Sequence, residues 1–273
     1  MDQLSNLRRL LAQQSRPDIK CDDERPKLWA FAGGKGGTGK TIIAAAAAYR
    51  LSHADIRVLL VDADTVMPGF KPYFDVPVQH AISQWLGQEV SLSQCVAEIN
   101  DHLHLFACHD PDLLVQTRSG EIFSRLMDQA QEYELIIADL PSGFSDLHRQ
   151  VYELADELTL VSGADYTAIA SAYAFIKLLN PATPKNGISV VINQVVAAEE
   201  AVGAFNKLEK TVKHFLATEL EFKGGIRKDE QISRFFQEMV PMICWPLDLP
   251  FFTDLEKILE QEVTPMYNTS VHL

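Results

Sequence analysis

The segment "WAFAGGKGGTGKTIIAAAAAYRL", residues 29–51, runs from an apolar stretch through a glycine- and lysine-rich loop into an alanine-rich stretch. Its centre satisfies the pattern G-x-x-x-x-G-K-[ST] of a phosphate-binding loop. The residues that form this pattern are Gly34, Lys35, Gly36, Gly37, Thr38, Gly39, Lys40 and Thr41. Glycines allow backbone N–H groups to curl around phosphate oxygens, and a helix that follows directs its positive end toward the same anion. The alternative is a glycine-rich turn that holds no ligand.

Two side chains of the loop have expected roles toward a bound nucleotide. Lys40 is expected to reach the β- and γ-phosphates, and the Thr41 hydroxyl is expected to ligate Mg²⁺. The first lysine of the loop, Lys35, is not explained by the general pattern.

Apolar segments alternate with longer helical patterns along most of the chain. Strands are expected over 28–32, 57–63, 103–107, 134–140, 157–162 and 187–193, and helices over 41–52, 119–131, 146–155, 166–179 and 199–219. Several strands are apolar on consecutive residues, which is typical of parallel strands that are buried on both faces. The sequence therefore predicts an α/β fold with a mostly parallel sheet and helices on both faces.

Acidic residues follow two of the predicted strands. Asp62 and Asp64 end the segment "RVLLVDAD", and Asp139 ends the segment "ELIIAD". Buried carboxylates are costly unless a charged group lies beside them, and Mg²⁺ bound to phosphate supplies that charge. The alternative is that these aspartates cap the helices that follow.

Composition limits the function classes. The chain has 273 residues, 47 % of them hydrophobic, and a formal net charge of −13. Sequence-independent DNA binding needs a basic surface, so direct DNA binding is not expected. No signal peptide and no apolar run of roughly 18 residues is found, which predicts a cytoplasmic protein. The scattered cysteines favour buried thiols over a zinc site or disulfides: Cys21, Cys95, Cys108 and Cys244.

The amino-terminal region differs from the rest of the chain. Residues 1–14 place leucines at helical spacing, so a short amphipathic helix is expected there. Residues 15–26 are polar with two prolines and are interpreted as a linker, which leaves 27–273 as the main domain. Such a short helix is not stable alone, so it must dock on this domain or on a partner.

The motifs "KGGTGKT", "LLVDAD", "DLPSG" and "VVINQV" together resemble the MinD/ParA group of P-loop ATPases. The resemblance covers about residues 27–260. It implies that Lys35 crosses a homodimer interface to the nucleotide of the other subunit, as a second cation at the developing phosphate charge. A solvated loop lysine is the alternative.

The resemblance also implies roles for four polar residues. Asp64 would orient the attacking water, and Asp62 and Asp139 would hold the Mg²⁺ shell. Asn193 would lie beside the adenine base, although an Asn at a strand end can also be only a turn former. The implied cofactors are ATP and Mg²⁺.

The first residues, "DQLSNLRRL", resemble the motif of the flagellar-number regulators, the FlhG or FleN branch of this group. In that branch the segment contacts FlhF, a GTPase of the signal-recognition-particle type. The resemblance implies that residues 2–10 contact such a partner and that Gln3, Leu7 and Arg8 activate it, with Gln3 reaching toward the partner's nucleotide. The alternative is an ordinary amphipathic helix.

The chain departs from the family pattern in three places. Residues 65–76, "TVMPGFKPYFDV", replace a Leu-Gly-Leu-Ala-Asn-like segment, Phe144 and Ser145 follow "DLPSG", and Arg227 stands where a proline is usual. The carboxyl-terminal segment has an apolar stripe and an acidic polar face. Anionic lipid repels an acidic face, so we expect this helix to pack on the domain.

These observations predict an ATP-dependent dimerisation switch that controls the number or placement of a polar machine such as the flagellum. Recruitment to the membrane or the cell pole would then depend on a partner. The alternatives are a partitioning ATPase for DNA or protein cargo, a degenerate nucleotide-binding interaction module, and a metabolic P-loop enzyme. A metal site at the histidines His102, His104 and His109 is not expected, because they lack an acidic or cysteine partner at ligand spacing.

Overall fold

The computed structural model describes residues 25–64, 69–70, 73–77, 80, 82–107, 119–179 and 187–268. In this part of the chain the strands are β1 Lys27–Ala32, β2 Val58–Asp62, β3 Val96–Asn100, β4 Leu103–Ala107, β5 Leu135–Asp139, β6 Glu157–Gly163, β7 Ile188–Val195 and β8 Leu220–Arg227. The helices are α1 Lys40–Ser52, α2 Ile82–Leu86, α3 Leu92–Cys95, α4 Ser119–Gln129, α5 Asp146–Leu154, α6 Tyr166–Leu179, α7 Ala198–Leu216, α8 Glu230–Gln237 and α9 Pro250–Asn268.

The strands form one sheet in the order β3-β4-β2-β5-β1-β6-β7-β8. Every neighbouring pair is parallel except β3 with β4, which is antiparallel. The predicted α/β fold with a mostly parallel sheet is thus confirmed, and the six predicted strands lie within two residues of their expected ends. Strands β3 and β8 are not among the six. The sequence of β3, "VAEIN", is short and only partly apolar, and that of β8, "LEFKGGIR", is interrupted by charged residues and two glycines.

Helices cover both faces of the sheet, because alternate strand residues enter two separate cores. On β1, Leu28 and Ala30 contribute to the core under α4 to α7, whereas Trp29 and Phe31 contribute to the core under α1 and α9. Strand β1 is buried on both faces for this reason, which explains its continuous apolar sequence.

The carboxyl-terminal helix α9 packs on the domain, as expected. Its apolar stripe is buried, and consists of Phe251, Phe252, Leu255, Ile258 and Leu259. Three of the acidic residues on its polar face are buried and paired with cations, which the sequence pattern does not indicate. Asp254 is paired with Arg227, Glu256 with Arg50, and Glu262 with Lys223, and all three carboxylates are buried. The three cations belong to other elements of the fold, so these ion pairs form only when the chain folds.

Other expectations have mixed outcomes. Cys95 is buried as expected, whereas Cys244 is exposed, because the 3₁₀ turn Met242–Cys244 buries Met242 and leaves Cys244 at the surface. The tryptophans lie in the cores, as predicted: Trp29, Trp85 and Trp245. The described residues contain no cluster of three potential metal ligands and no helix long and apolar enough to span a membrane. The expected amino-terminal helix, most of the linker, Cys21, Cys108 and His109 lie outside the described residues.

Candidate functional site

The phosphate-binding loop joins the carboxyl end of β1 to the first turn of α1. Gly37 and Gly39 have φ of 81° and 85°, in the left-handed region that favours glycine. A Cβ on Gly39 would lie 2.1 Å from Asn193 Nδ2, and one on Gly34 would lie 2.3 Å from the carbonyl oxygen of Ser171. Around Gly37, no described atom would lie within 4 Å of such a Cβ. The loop is therefore packed tightly on its inner side and open on its outer side, as a phosphate cradle requires.

Lys40 and Thr41 both donate to the carboxylate of Asp139. Lys40 Nζ donates to Oδ1, and Thr41 Oγ1 donates to Oδ2 over 2.7 Å. Lys40 and Asp139 are only 6 % and 1 % exposed. Burial raises the pKa of Asp139, and the charge of Lys40 lowers it in part. The attraction between the Lys40 ammonium and the Asp139 carboxylate offsets the cost of burying the two charges.

Asp62 lies beside Asp139, because the two residues are register partners on the adjacent strands β2 and β5. Asp62 accepts hydrogen bonds from the N–H groups of Gly69, at 2.7 Å, and Asp64, at 3.2 Å. Burial raises its pKa to about 6, and the charges of Asp139 and Asp64 add to this while the Gly69 bond opposes it. The alternative that these aspartates only cap helices does not describe Asp139, whose carboxylate accepts from Lys40 and Thr41.

Lys35 has a partner within its own chain. Its Nζ lies 3.2 Å from both carboxylate oxygens of Asp165 and donates to Thr167 Oγ1 over 2.9 Å. Asp165 also accepts the N–H of Ala168 at 2.9 Å, at the start of α6. Hydrogen bonds from Thr167, Ala168 and Lys35 hold the pKa of Asp165 well below its usual range. Sequence reasoning missed Asp165, although it stands two residues past the end of a buried strand, as Asp64 does.

A cavity of about 340 Å³ opens beside the loop. Gly39, Asn193 and Gln194 line one side of it. Asn193 lies within β7 and not in a turn, and its Nδ2 donates to the carbonyl oxygen of Thr38 over 2.8 Å. Gln194 Nε2 donates to the carbonyl oxygen of Gly37 over 3.2 Å. The two amides thus hold the loop backbone from the side of the cavity.

Residues 29–242 match the family described as the CobQ/CobB/MinD/ParA nucleotide binding domain. The chain belongs to this family. The match spans the loop, both strand-end aspartates and Asn193.

Two relatives within the family are similar over most of their length. The flagellum site-determining protein YlxH of Helicobacter pylori is 26 % identical over 242 residues, which cover 87 % of this chain and 82 % of that protein. The antiactivator FleN of Pseudomonas aeruginosa is 26 % identical over 220 residues, which cover 77 % of this chain and 76 % of that protein.

Solved structures of the family have the same fold. The septum site-determining protein MinD of Pyrococcus horikoshii, complexed with Mg-ADP, superposes with a TM-score of 0.71 at 17 % identity. The superposition covers 91 % of this chain and 100 % of that one. The open loop, the buried lysine and the paired carboxylates of this chain fit such a ligand, since they offer N–H donors and a cation for phosphate and oxygen ligands for Mg²⁺.

Part of the segment that follows Asp64 is described, at residues 69–70 and 73–77. Phe70, Tyr73 and Phe74 are buried, and the Tyr73 ring lies 6.2 Å from the Trp245 ring. Gly69 lies directly over the carboxylates, since a Cβ there would be 3.1 Å from Thr41 Cγ2 and 3.7 Å from an oxygen of each aspartate, Asp62 and Asp139. Aromatic packing therefore holds this segment against the candidate Mg²⁺ ligands.

The two residues after "DLPSG" also have structural roles. The Phe144 ring packs 5.8 Å from the Phe175 ring. Ser145 begins helix α5 as a capping box with His148. Phe144 therefore contributes to local packing, and Ser145 caps a helix.

Proposed function

We propose that this chain is an ATP-binding and ATP-hydrolysing switch, which dimerises in its ATP state and regulates the number or placement of flagella through partner proteins. The observation that carries the proposal is the position of Asp139. It accepts from Lys40 and Thr41 and lies in register with Asp62, directly beneath an open glycine loop. This arrangement is suited to a nucleotide whose phosphates are bound together with a divalent cation.

The residues of this site have distinct proposed roles. The backbone N–H groups of residues 34–41 would bind the phosphates, and Lys40 would neutralise their charge. Thr41, Asp62 and Asp139 would hold Mg²⁺, which supplies charge stabilisation at the phosphoryl group when it is bound. Asp64 would orient the attacking water by accepting a hydrogen bond from it.

Lys35 has a proposed role in the dimer. In the single chain it is held by Asp165, so it would have to leave this carboxylate to reach the nucleotide of a second subunit. A cation supplied in trans stabilises charge that develops during phosphoryl transfer, and it makes hydrolysis depend on dimerisation.

The cellular role is proposed from the relatives. Similarity to a flagellum site-determining protein and to an antiactivator supports regulation of flagella. The partner would be a GTPase of the FlhF type bound through residues 2–10, with Gln3, Leu7 and Arg8 at the contact. Localisation would be cytoplasmic, with recruitment to the pole or membrane by a partner.

The mass of the particle in solution with different nucleotides tests the proposal. We expect the Asp64→Ala protein to be a monomer with ADP and a dimer with ATP and Mg²⁺ when measured by size-exclusion chromatography with light scattering. A monomer in both states, with nucleotide bound, would favour the degenerate interaction module. An ATP dimer that shifts DNA fragments in a gel would favour the partitioning ATPase.

A further inference from the structure

The cavity beside the phosphate-binding loop is also lined by residues from the end of β8, from α8 and from the first turn of α9. Gly39 and Asn193 line it on the side of the loop, and Phe251, in the first turn of α9, lines it on the other side. Arg227, the last residue of β8, lines the cavity as well. The site next to the loop is therefore completed by residues that are more than 180 positions further along the chain.

Arg227 is fixed in place by Asp254 of α9. Its Nε donates to Oδ2 over 2.7 Å, its Nη2 donates to Oδ1 over 3.0 Å, and its backbone N–H donates to Oδ2 over 3.2 Å. Asp254 is buried, and hydrogen bonds from Arg227 keep its pKa low despite the burial. Two parallel bonds to one carboxylate hold the plane of the guanidinium as well as its position.

The ion pair with Asp254 limits which part of a nucleotide Arg227 can bind. Its charge is already balanced by Asp254, so it is poorly suited to attract phosphate, which the loop and Lys40 bind instead. A flat guanidinium with a fixed plane is well suited to stack on an aromatic ring. A cavity of about 340 Å³ with further aromatic walls from Tyr73 and Phe236 suits a purine base.

We propose that Arg227, held by Asp254, is the surface on which a purine base of the bound nucleotide stacks, and that base binding is thereby coupled to the docking of α9. This inference rests on the proposed nucleotide binding and adds to it. Arg227 is a binding residue for the base, and Asp254 is a positioning residue that acts through Arg227. Because Glu256 of α9 also pairs with Arg50 of α1, the helix contacts both the base cavity and the helix that carries the loop.

Coupling between the base and α9 must be reciprocal. If docking of α9 favours base binding through Arg227, base binding must favour docking of α9 to the same extent. A ligand that lacks a base, such as inorganic pyrophosphate, can occupy the phosphate loop without engaging Arg227. The affinity for ADP therefore reports on the phosphate loop and the base cavity together, whereas the affinity for pyrophosphate reports on the phosphate loop alone.

Isothermal titration calorimetry of the full chain with ADP and with pyrophosphate tests the stacking role. We expect Arg227→Gln to weaken ADP binding by about tenfold and to leave pyrophosphate binding unchanged. Arg227→Lys keeps the ion pair with Asp254 but loses the planar fork, so ADP affinity should also fall. The control for loss of a surface ion pair is Arg234→Gln, since Arg234 pairs with Glu238 over 2.8 Å at an exposed site and does not line the cavity.

The outcomes are distinguishable. Unchanged ADP affinity in Arg227→Gln, or an equal loss for ADP and pyrophosphate, would overturn the inference while the proposed function stands. A wild-type chain that binds no ADP would overturn the proposed function and the inference with it.

Hydrogen–deuterium exchange of α9 tests the coupling. We expect ADP to slow exchange of the amides in residues 250–262 of the wild-type chain, and pyrophosphate to leave their exchange unchanged. Asp254→Asn should reduce the effect of ADP, because the neutral amide holds Arg227 less firmly. If ADP and pyrophosphate slowed exchange of these amides equally, docking of α9 would not depend on the base and the coupling would be overturned.

Discussion

Lys35 Nζ lies 3.2 Å from both carboxylate oxygens of Asp165, so the first lysine of the phosphate-binding loop is engaged within its own chain. Both side chains are partly exposed, at 35 % and 56 %, so the pair is a weak one. A weak pair of this kind can hold the lysine in the single chain and still release it to a second subunit.

Asp165→Asn should therefore favour the ATP-bound dimer. Asn retains the ability to cap α6, so the fold is preserved while the attraction for Lys35 is lost. We expect the dimer dissociation constant with ATP and Mg²⁺ to fall by about two- to fivefold, as measured by analytical ultracentrifugation. An unchanged or weaker dimer would mean that Asp165 does not compete with the partner subunit for Lys35.

Lys35→Ala and Asp64→Ala should have opposite effects on the dimer. Loss of Lys35 should abolish hydrolysis and weaken the dimer, because the cation supplied in trans is missing. Loss of Asp64 should also stop hydrolysis but should trap the dimer, since the attacking water is no longer oriented. Phosphate release and particle mass measure the two properties, and wild-type hydrolysis in both variants would contradict the assignments.

Gly69→Ala should impair binding of the metal. The added Cβ would crowd Thr41 Cγ2 at 3.1 Å, and at 3.7 Å it would stand in ordinary contact with oxygens of Asp62 and Asp139, so it would displace Thr41 and cover two candidate Mg²⁺ ligands. We expect the Mg²⁺ concentration needed for half-maximal ATP binding to rise several-fold. Gly187→Ala is the control, since no described atom would lie within 4 Å of its Cβ. If Gly69→Ala and Gly187→Ala needed the same Mg²⁺ concentration for half-maximal ATP binding, Gly69 would not lie beside the metal.

Glu157 should make the stability of the fold depend on pH. Burial and the charge of Glu262 raise its pKa to about 7 from an ordinary value of 4.5, and its Oε1 is buried with no hydrogen-bond partner among the described residues. The folded chain therefore holds the proton more tightly than the unfolded chain, so stability decreases as the pH rises from about 4.5 to about 7.

Glu157→Gln should remove this dependence. At pH 8 the variant should exceed the wild type in free energy of unfolding by on the order of 1 kcal/mol, and at pH 5 the difference should be much smaller. Urea unfolding at the two pH values measures the effect. The exposed Glu153 provides the control substitution, Glu153→Gln, for which we expect no comparable gain. A gain that is equal at pH 5 and pH 8 would contradict the role of ionisation.

Much of the fold could be predicted because the relevant signals are local. Continuous apolar runs mark strands that are buried on both faces, and helical periodicity marks the helices between them. The edge strand β3 lacked such a signal, because a half-exposed antiparallel strand needs only one apolar face. Its existence depends on the neighbour β4, which pairs with it after a short turn.

The sequence by itself predicted the glycine- and lysine-rich loop between β1 and α1, the mostly parallel sheet, and the position of Asp62 and Asp139 at the carboxyl ends of its strands. These follow from motif spacing and from the rule that parallel strands end at the same edge. Only the tertiary structure decided which charged side chains form ion pairs. Lys35 and Asp165 are 130 residues apart, and Arg227 and Asp254 are 27 apart. Strand register and helix docking bring these side chains within hydrogen-bond distance, and neither is encoded in local patterns of apolar and polar residues.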